Sequence, residues 1–428
     1  MRRFIKLVSM LVCISFFLTV MSNIGLSKVT LRVTDWWGDA FNDIMAEAQK
    51  QFPDIEIKHE PRPYSGYHDK LLVEIAARTG LDIYFVDAYW FGRLFSAGVF
   101  LPLSKLAQKD PIDFKKFVLD PRFSHKYGND FYGLPQWIED NPVLWVNKDL
   151  CKEAGIVVPE YGTPQFNKWR WKDLLTAVQK TTKKGPDGKN IQWGLSNPGT
   201  FPWVHMLLIW LNGGEIIDDP QALKETKCTL DQPKAIEAIQ FLVDLTNKYR
   251  VQMTPSESEL LAAGAYLSGK VAFTWGWNVY GELKKATFDW TVIPIPWQTR
   301  KVTKYGGNSW VISKATKYPE EAWKLIKWFT TDPKARKMFA SKGTISNYAP
   351  EELFKEAESP KQKMIWEMLT ACTKGVTFRP WRFGSKNPAL FSQIWKSQLD
   401  LAFLEGKPVV QAMKDAANEI NEKIYSAK

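Results

Sequence analysis

The apolar positions of this chain change period in a regular order. Val29 to Thr34 alternates like a half-buried strand, Phe41, Ile44, Met45 and Ala48 recur at helical spacing, and Ile55 to Lys58 is a second short strand after Pro53. The pattern repeats. Leu71 to Ala77 predicts a helix, "LDIYFVD" from Leu81 to Asp87 a buried strand, and Trp90, Leu94 and Phe95 the inner face of a helix stopped by Gly98. Alternation of this kind predicts an α/β domain built on a largely parallel sheet. Such sheets bind ligands beyond the carboxyl ends of their strands, which places the loop Asp35-Trp36-Trp37-Gly38 and the stretch Asp87 to Trp90 on the ligand-facing rim.

Further along, "YGNDFYGLPQW" (Tyr127 to Trp137) reads as a hairpin and "PVLWVNKDL" as a strand entering a helix. Gly155 to Trp171 predicts a loop before a helix over Lys172 to Lys180, and Gly185 to Lys189 predicts a turn. A long helix is predicted from Pro233 to Tyr249 with Ile236, Ile239, Leu242 and Val243 inward. "VAFTWGW" (Val271 to Trp277) is a buried strand running into a Trp-Gly-Trp turn that echoes the first one. "VIPIPW" (Val292 to Trp297) carries two prolines and is expected to connect lobes rather than sit inside a sheet. Helices are expected through Ala322, Leu325, Ile326 and Phe329, and at the C-terminus through Val410, Met413, Ala417, Ile420 and Ile424. The chain has no internal repeat.

The first 27 residues differ from the rest. Arg2, Arg3 and Lys6 precede an apolar run from Leu7 to Val20, and small residues at Gly25 and Ser27 precede Lys28, the pattern of a cleaved secretory signal peptide. The run is shorter than the roughly 20 residues of a membrane span. Cys13 leaves with it, and the remaining Cys151, Cys228 and Cys372 allow at most one internal disulfide and form no metal-ligand cluster; they are expected to be buried small hydrophobes. Removal of residues 1–27 lowers the net charge from +11 to +8, and the remaining Lys and Arg are interspersed with acids, so no basic stripe for nucleic acid forms. Aromatic residues make up 14% of the chain and 20 are Trp, more than a core alone calls for.

Four segments carry a resemblance: "LDIYFVDAYWFGRLFSAGVFLPLSKL" (Leu81 to Leu106), "YGLPQWIEDNPVLWVNKDLCKEAGI" (Tyr132 to Ile156), "LSGKVAFTWGWNVY" (Leu267 to Tyr280) and "YGGNSWVISKATKYPEEAWKLIKWFTT" (Tyr305 to Thr331). In this order they resemble the extracellular solute-binding proteins of ABC importers, in the maltose-binding-protein-like group. The resemblance implies an α/β, two-lobe periplasmic-binding-protein fold of the type II kind, with discontinuous lobes, mixed central sheets and a helical C-terminus. The first lobe is expected over residues 28–139 and 303–343, the second over 141–296 and 348–428, with crossovers at 297–302 and 344–347. It also implies a binding protein and not an enzyme, periplasmic or cell-surface, monomeric, without cofactor, whose partners are a carbohydrate and a separate membrane permease. The Trp169-Arg170-Trp171 stretch departs from the single Trp more common in relatives and leaves the ligand's identity open.

A sugar offers C–H faces to flat aromatics and a rim of hydroxyls to bidentate polar groups. Trp36, Trp37, Trp90, Trp137, Trp203, Trp275, Trp277, Trp310 and Trp381, with Tyr64, are candidate platforms, and Asp35, Asp87, Glu139, Asp140, Asn278, Asn308 and Arg379 are candidate grips. Trp277 and Trp310 match positions where the resemblance implies ligand-facing groups. Each has a blander reading: a turn tryptophan can pack on its own lobe, Asp87 can cap the helix after it, Glu139 and Asp140 can be solvated hinge residues, and Arg379 can stack on Trp381. Trp323, Trp328, Trp366 and Trp395 fall at helical spacing and are expected in the core. A polysaccharide-active enzyme, an adhesive module and a receptor for an anionic solute such as a glycerophosphate stay as alternatives. No G-x-S-x-G, H-E-x-x-H or phosphate-loop motif occurs, and His59, His68, His125 and His205 show no triad or ligand spacing.

Overall fold

The computed structural model describes residues 28–77, 81–138, 143–198, 203–219, 225–259, 261, 264–276, 283–305, 307–342, 344–372, 377–380 and 387–426, with the main chain alone at 76, 89, 266, 304, 305, 372 and 377–380. The expected signal segment lies outside these residues. Among the described residues no helix is long and apolar enough to cross a membrane.

The strands are β1 (Val29–Thr34), β2 (Ile55–His59), β3 (Ile83–Val86), β4 (Lys126–Tyr127), β5 (Asp130–Phe131), β6 (Leu134–Pro135), β7 (Val143–Asn147), β8 (Lys183–Lys184), β9 (Asn190–Leu195), β10 (Val271–Gly276), β11 (Trp290–Pro294), β12 (Val302–Tyr305), β13 (Ser309–Ile312) and β14 (Thr377–Pro380). One sheet runs β2-β1-β3-β13-β6. Its first three strands are parallel, Val33 opposing both His59 and Ile83, and β13 enters antiparallel with Ser309 opposite Val86. Residues 83–86 are buried without alternation because helices cover both faces, as in parallel sheets. The second sheet runs β11-β7-β10-β9-β8, with β10 parallel to β9 and antiparallel to β7. The proline-bearing segment expected as a connection is an edge strand, β11, paired along its length with β7. Pro294 is tolerated there because an edge strand needs partners on one side only.

Each sheet has its own core, so the molecule is an α/β protein of two lobes. Helix Asn42–Gln51 and helix Pro319–Thr331 close the first core, with Trp323, Trp328 and Phe329 inward. In the second, every residue of helix Trp203–Leu211 is buried beside the inner face of helix Pro233–Asn247. Trp366 and Trp395 are core residues too, and Cys151 and Cys228 are buried free thiols pushed up to about 12 by burial. Trp137 pairs with Ser346, Ile138 N donates to Ile345 O (2.9 Å) and Asn347 N to Gln136 O (3.1 Å). Two chain passages thus lie side by side. The Asn347 amide is buried and closes a two-way bond with the Leu119 main chain (2.9 and 3.1 Å), and the buried Arg336 guanidinium holds Tyr348 O at 2.9 Å. A separate apolar cluster containing Ile138, Val143, Val292, Ile345 and Leu369 underlies these passages.

Two positions test this packing. Gly194 on β9 lies so close to helix Trp171–Thr181 that a Cβ would stand 2.1 Å from Val178 O and 2.6 Å from Val178 Cα. Because the obstacle is backbone, Gly194→Ala is expected to cost about 3 kcal/mol, read as a lower denaturation midpoint in guanidinium. His205, inside the buried helix, is pushed down to about 4 by burial, and its Nδ1 has no hydrogen-bond partner. The unfolded ring takes its proton near pH 6.5, so the unfolded state binds the extra proton between these values and stability falls as pH drops from about 6.5 to about 4. The melting temperature is expected to decline over that window, and His205→Leu is expected to flatten the decline; an unchanged slope would refute the assignment.

Candidate functional site

The loop after β1 is organised by a carboxylate with no exposed surface. Asp35 Oδ1 accepts from Trp37 N at 2.7 Å, Oδ2 lies 2.7 Å from His59 Nε2, and Asp35 O accepts from Arg62 N at 2.9 Å. His59 Nδ1 in turn lies 2.9 Å from Asn42 Oδ1, and Asn42 donates to Asp39 Oδ1 at 2.8 Å. Asp35 was expected to grip a ligand; both of its oxygens are engaged inside the lobe. Gly38 then turns with φ 60°, a conformation that favours glycine.

The two tryptophans of the loop divide their work. Trp37 stacks on Phe41 (5.4 Å, 10°) and meets the Trp137 edge at 5.3 Å, packing onto its own lobe. Trp36 lies 4.8 Å from Phe85 and turns toward Tyr64 and Tyr67 at 5.5 and 5.3 Å and toward His68 at 5.5 Å. Tyr64 is 51% exposed, and its hydroxyl donates to Asp87 Oδ2 at 3.2 Å. Beneath them the buried Tyr67 hydroxyl reaches Thr34 O and Phe85 O (3.1 and 2.9 Å), tying together the carboxyl ends of β1 and β3.

His68 links this wall to the next loop. Its Nε2 accepts from Asp87 N at 3.1 Å, and burial pushes its pKa down to about 3, so the ring is neutral, as an accepting nitrogen requires. Trp90 stacks on the same ring (5.2 Å, 2°), with the Arg93 guanidinium 5.2 Å from the indole. Helix Ala88–Ser96 begins here, and Ala88 N donates to Asn308 Oδ1 at 3.3 Å. Ala88 and Trp90 also pack against the core of the second lobe, so the two lobes meet at this helix.

Trp36, Tyr64, Asp87 and Trp90 are therefore brought together. Trp137 and Trp310, 1% and 0% exposed, lie within the first core; Trp310 Nε1 donates to Gln136 Oε1 at 2.9 Å. Both belong to the core cluster that includes helix Pro319–Thr331, and Trp37 packs against it. Trp203 and Trp275 are buried in the second core, where Trp275 N donates to Ser196 Oγ at 3.1 Å. Gly276 ends β10, where a Cβ would stand 2.4 Å from the Trp145 ring. Glu139, Asp140, Trp277, Asn278 and Trp381 lie outside the described residues, and Arg379 is known by its main-chain pairing with Lys304. His59, His68 and Tyr67 are positioning residues that spacing did not disclose: their partners stand 24, 19 and 18 or more positions away.

Among the described residues no cluster of His, Cys, Asp and Glu is arranged to hold a metal. His125 stands between two hydroxyls, Ser309 Oγ at 2.6 Å and Ser124 Oγ at 2.9 Å, all buried. A hydroxyl occupies the place where a nucleophilic triad would put its carboxylate.

Comparison with known proteins agrees with this architecture. The chain is 25% identical over 312 residues to a maltotriose-binding protein of Pyrococcus abyssi, a match covering 70% of this chain and 61% of that one. It is 24% identical over 226 residues to a putative binding protein of Brucella abortus, covering 52% and 50%. The chain thus spans less than two thirds of the length of these relatives. Among solved structures, an ABC substrate-binding protein from Listeria monocytogenes in complex with cycloalternan superposes with a TM-score of 0.76 at 22% identity, covering 92% of this chain and 98% of that one. The sugar-binding protein MalE of Xanthomonas citri gives 0.76 at 18% identity, covering 92% and 97%. These likenesses carry the fold. The family model for bacterial extracellular solute-binding proteins matches residues 35–336, from the buried Asp35 to the buried Arg336, and the chain belongs to that family.

Proposed function

We propose that this protein captures a carbohydrate between its two lobes by hinge closure and delivers it to the membrane permease of an ABC importer, making and breaking no bond. The observation that carries the reading is the aromatic wall at the carboxyl ends of β1 and β3, where Trp36, the half-exposed Tyr64 and Trp90 surround Asp87. Flat rings beside a carboxylate suit a ligand with apolar faces and a hydroxyl rim. The wall stands where helix Ala88–Ser96 already touches the second lobe, so closure would bury a ligand against both. The names of the Pyrococcus and Listeria proteins point to saccharides as the class.

In this reading Asp35, Trp37, Trp137 and Trp310 hold the wall in place, Trp203 and Trp275 pack in the second core, and Glu139, Asp140, Trp277, Asn278, Arg379 and Trp381 stay candidates for ligand contact. The mature chain begins after residue 27, outside the cytoplasmic membrane, and works as a monomer. Only the closed form would dock productively, so transport follows a population shift.

Titration of intrinsic tryptophan fluorescence with neutral and acidic oligosaccharides and with glycerophosphates is expected to show saturable change for neutral glycans, recovered intact. Fragments would indicate an enzyme, and response to anions alone would change the ligand class. Trp90→Ala and Tyr64→Ala are each expected to weaken binding tenfold or more, about 1.4 kcal/mol, with melting temperatures reported alongside. Unchanged affinity in both would remove the wall from the site.

A further inference from the structure

The amino end of β9 borders a cavity of about 690 Å³, within the range of small-molecule sites. Its walls come from the β8–β9 hairpin, the turn after helix Pro233–Asn247 and the end of helix Pro388–Leu404. Asn190 opens β9 there, so the cavity stands at the opposite end of the strand from the carboxyl edge on which such sheets bind ligands. Asn247 Nδ2 donates to Phe403 O at 3.1 Å and joins the two helices at this point. Phe403 and Leu404 add an apolar side to the cavity.

Three cations line the cavity: Lys184, Lys189 and Arg250, all exposed. Lys183 is paired with Glu153, but among the described residues neither Lys184 nor Arg250 has an ion-pair partner. Lys189 Nζ stands 3.9 Å from Asp187, whose other oxygen accepts from Lys189 N at 3.0 Å. Two carboxylates line it as well. Glu257 is engaged by Thr254, its Oε2 accepting from Thr254 N at 2.8 Å and from Thr254 Oγ1 at 3.1 Å. Glu405 is exposed at the end of helix Pro388–Leu404.

The backbone singles out Arg250. It turns the chain out of helix Pro233–Asn247 at φ 53°, in the left-handed region that favours glycine. Val251 N donates to Leu245 O at 3.0 Å and Asn190 Nδ2 to Arg250 O at 2.9 Å, so the turn is held on both sides of that strained residue. A glycine would satisfy each of these main-chain demands without strain. The guanidinium has no hydrogen-bond partner among the described residues to offset it, and strain carried by a cavity-lining side chain points to a ligand. A guanidinium fork beside two ammonium groups suits a phosphoryl group. Asn190 and Asn247 each give Nδ2 to a main-chain carbonyl, so their side-chain oxygens and the Glu405 carboxylate are what this side offers, acceptors for hydroxyls.

We propose that this cavity is a second ligand site, separate from the aromatic wall of the first lobe, for a small phosphate monoester that carries hydroxyls, of the hexose phosphate class. Arg250, Lys184 and Lys189 hold the phosphoryl group, and Asn190, Asn247 and Glu405 accept from the hydroxyls. The mature protein is titrated calorimetrically with glucose 6-phosphate, inorganic phosphate and sulfate at matched ionic strength. The sugar ester is expected to bind saturably, phosphate more weakly and sulfate most weakly. Arg250→Gly is expected to weaken the ester at least tenfold with an unchanged melting temperature, because glycine adopts the same φ freely. Lys184→Ala, an exposed change, is expected to weaken it about fivefold and carries the test if Arg250→Gly is less stable. Both variants are expected to keep the fluorescence response to neutral glycans. Absence of saturable binding overturns the site, as does ester binding that survives both substitutions. Sulfate binding as tightly as the ester would show a nonspecific cationic surface and overturn the assignment. None of these failures touches the reading of the aromatic wall, which neutral glycans test separately.

Discussion

The Asp35 side chain lies where water does not reach, and burying polar oxygens costs free energy unless they find hydrogen-bond partners. Here they are matched by the Trp37 amide on one oxygen and His59 on the other, with the Asp35 carbonyl holding the chain at Arg62. The consequence is geometric. The end of β1, the end of β2 and the start of helix Asn42–Gln51 are bound to one point through His59 and Asn42, so the loop between them has a single path. From that path Trp36 packs on Phe85 beside Tyr64 and Tyr67, and Trp37 packs on Phe41 and Trp137.

A turn with two tryptophans thus has a divided purpose. Trp37 anchors the loop by stacking on Phe41 and abutting Trp137, and Trp36 presents an indole toward Tyr64 and His68. The second tier repeats the logic: neutral His68 accepts the Asp87 amide and gives Trp90 a parallel ring to rest on. Rigid aromatics lose little freedom on ligand binding when they are already held, which is how such a wall favours affinity.

The same economy appears elsewhere in the chain. β13 returns after more than 170 residues of the chain to complete the first sheet, and the passages at Gln136 to Ile138 and at Ile345 to Asn347 are bonded to each other. Helix Ala88–Ser96 of the first lobe rests on the second core at Ala88 and Trp90, so wall and interlobe contact share residues.

The sequence by itself determined the elements and their order. Period-2 runs at Val29 and Ile55, the unbroken apolar run at Ile83 to Val86 and the helical spacing through Phe329 are local signals, because burial of one face is written into neighbouring residues. The rim position of Asp35 and Asp87 followed from the strand–helix order alone. What only the tertiary structure decided is which tryptophan faces where, since Trp137, Trp310 and Trp36 all sit at strand ends and differ only in what distant segments cover them. The partners of His59 and His68 were equally invisible, because a contact between residues 24 or 19 positions apart depends on sheet register, not on spacing. The proline-bearing β11 misled for the same reason: whether a strand is central or at an edge is a property of its neighbours, and those come from elsewhere in the chain.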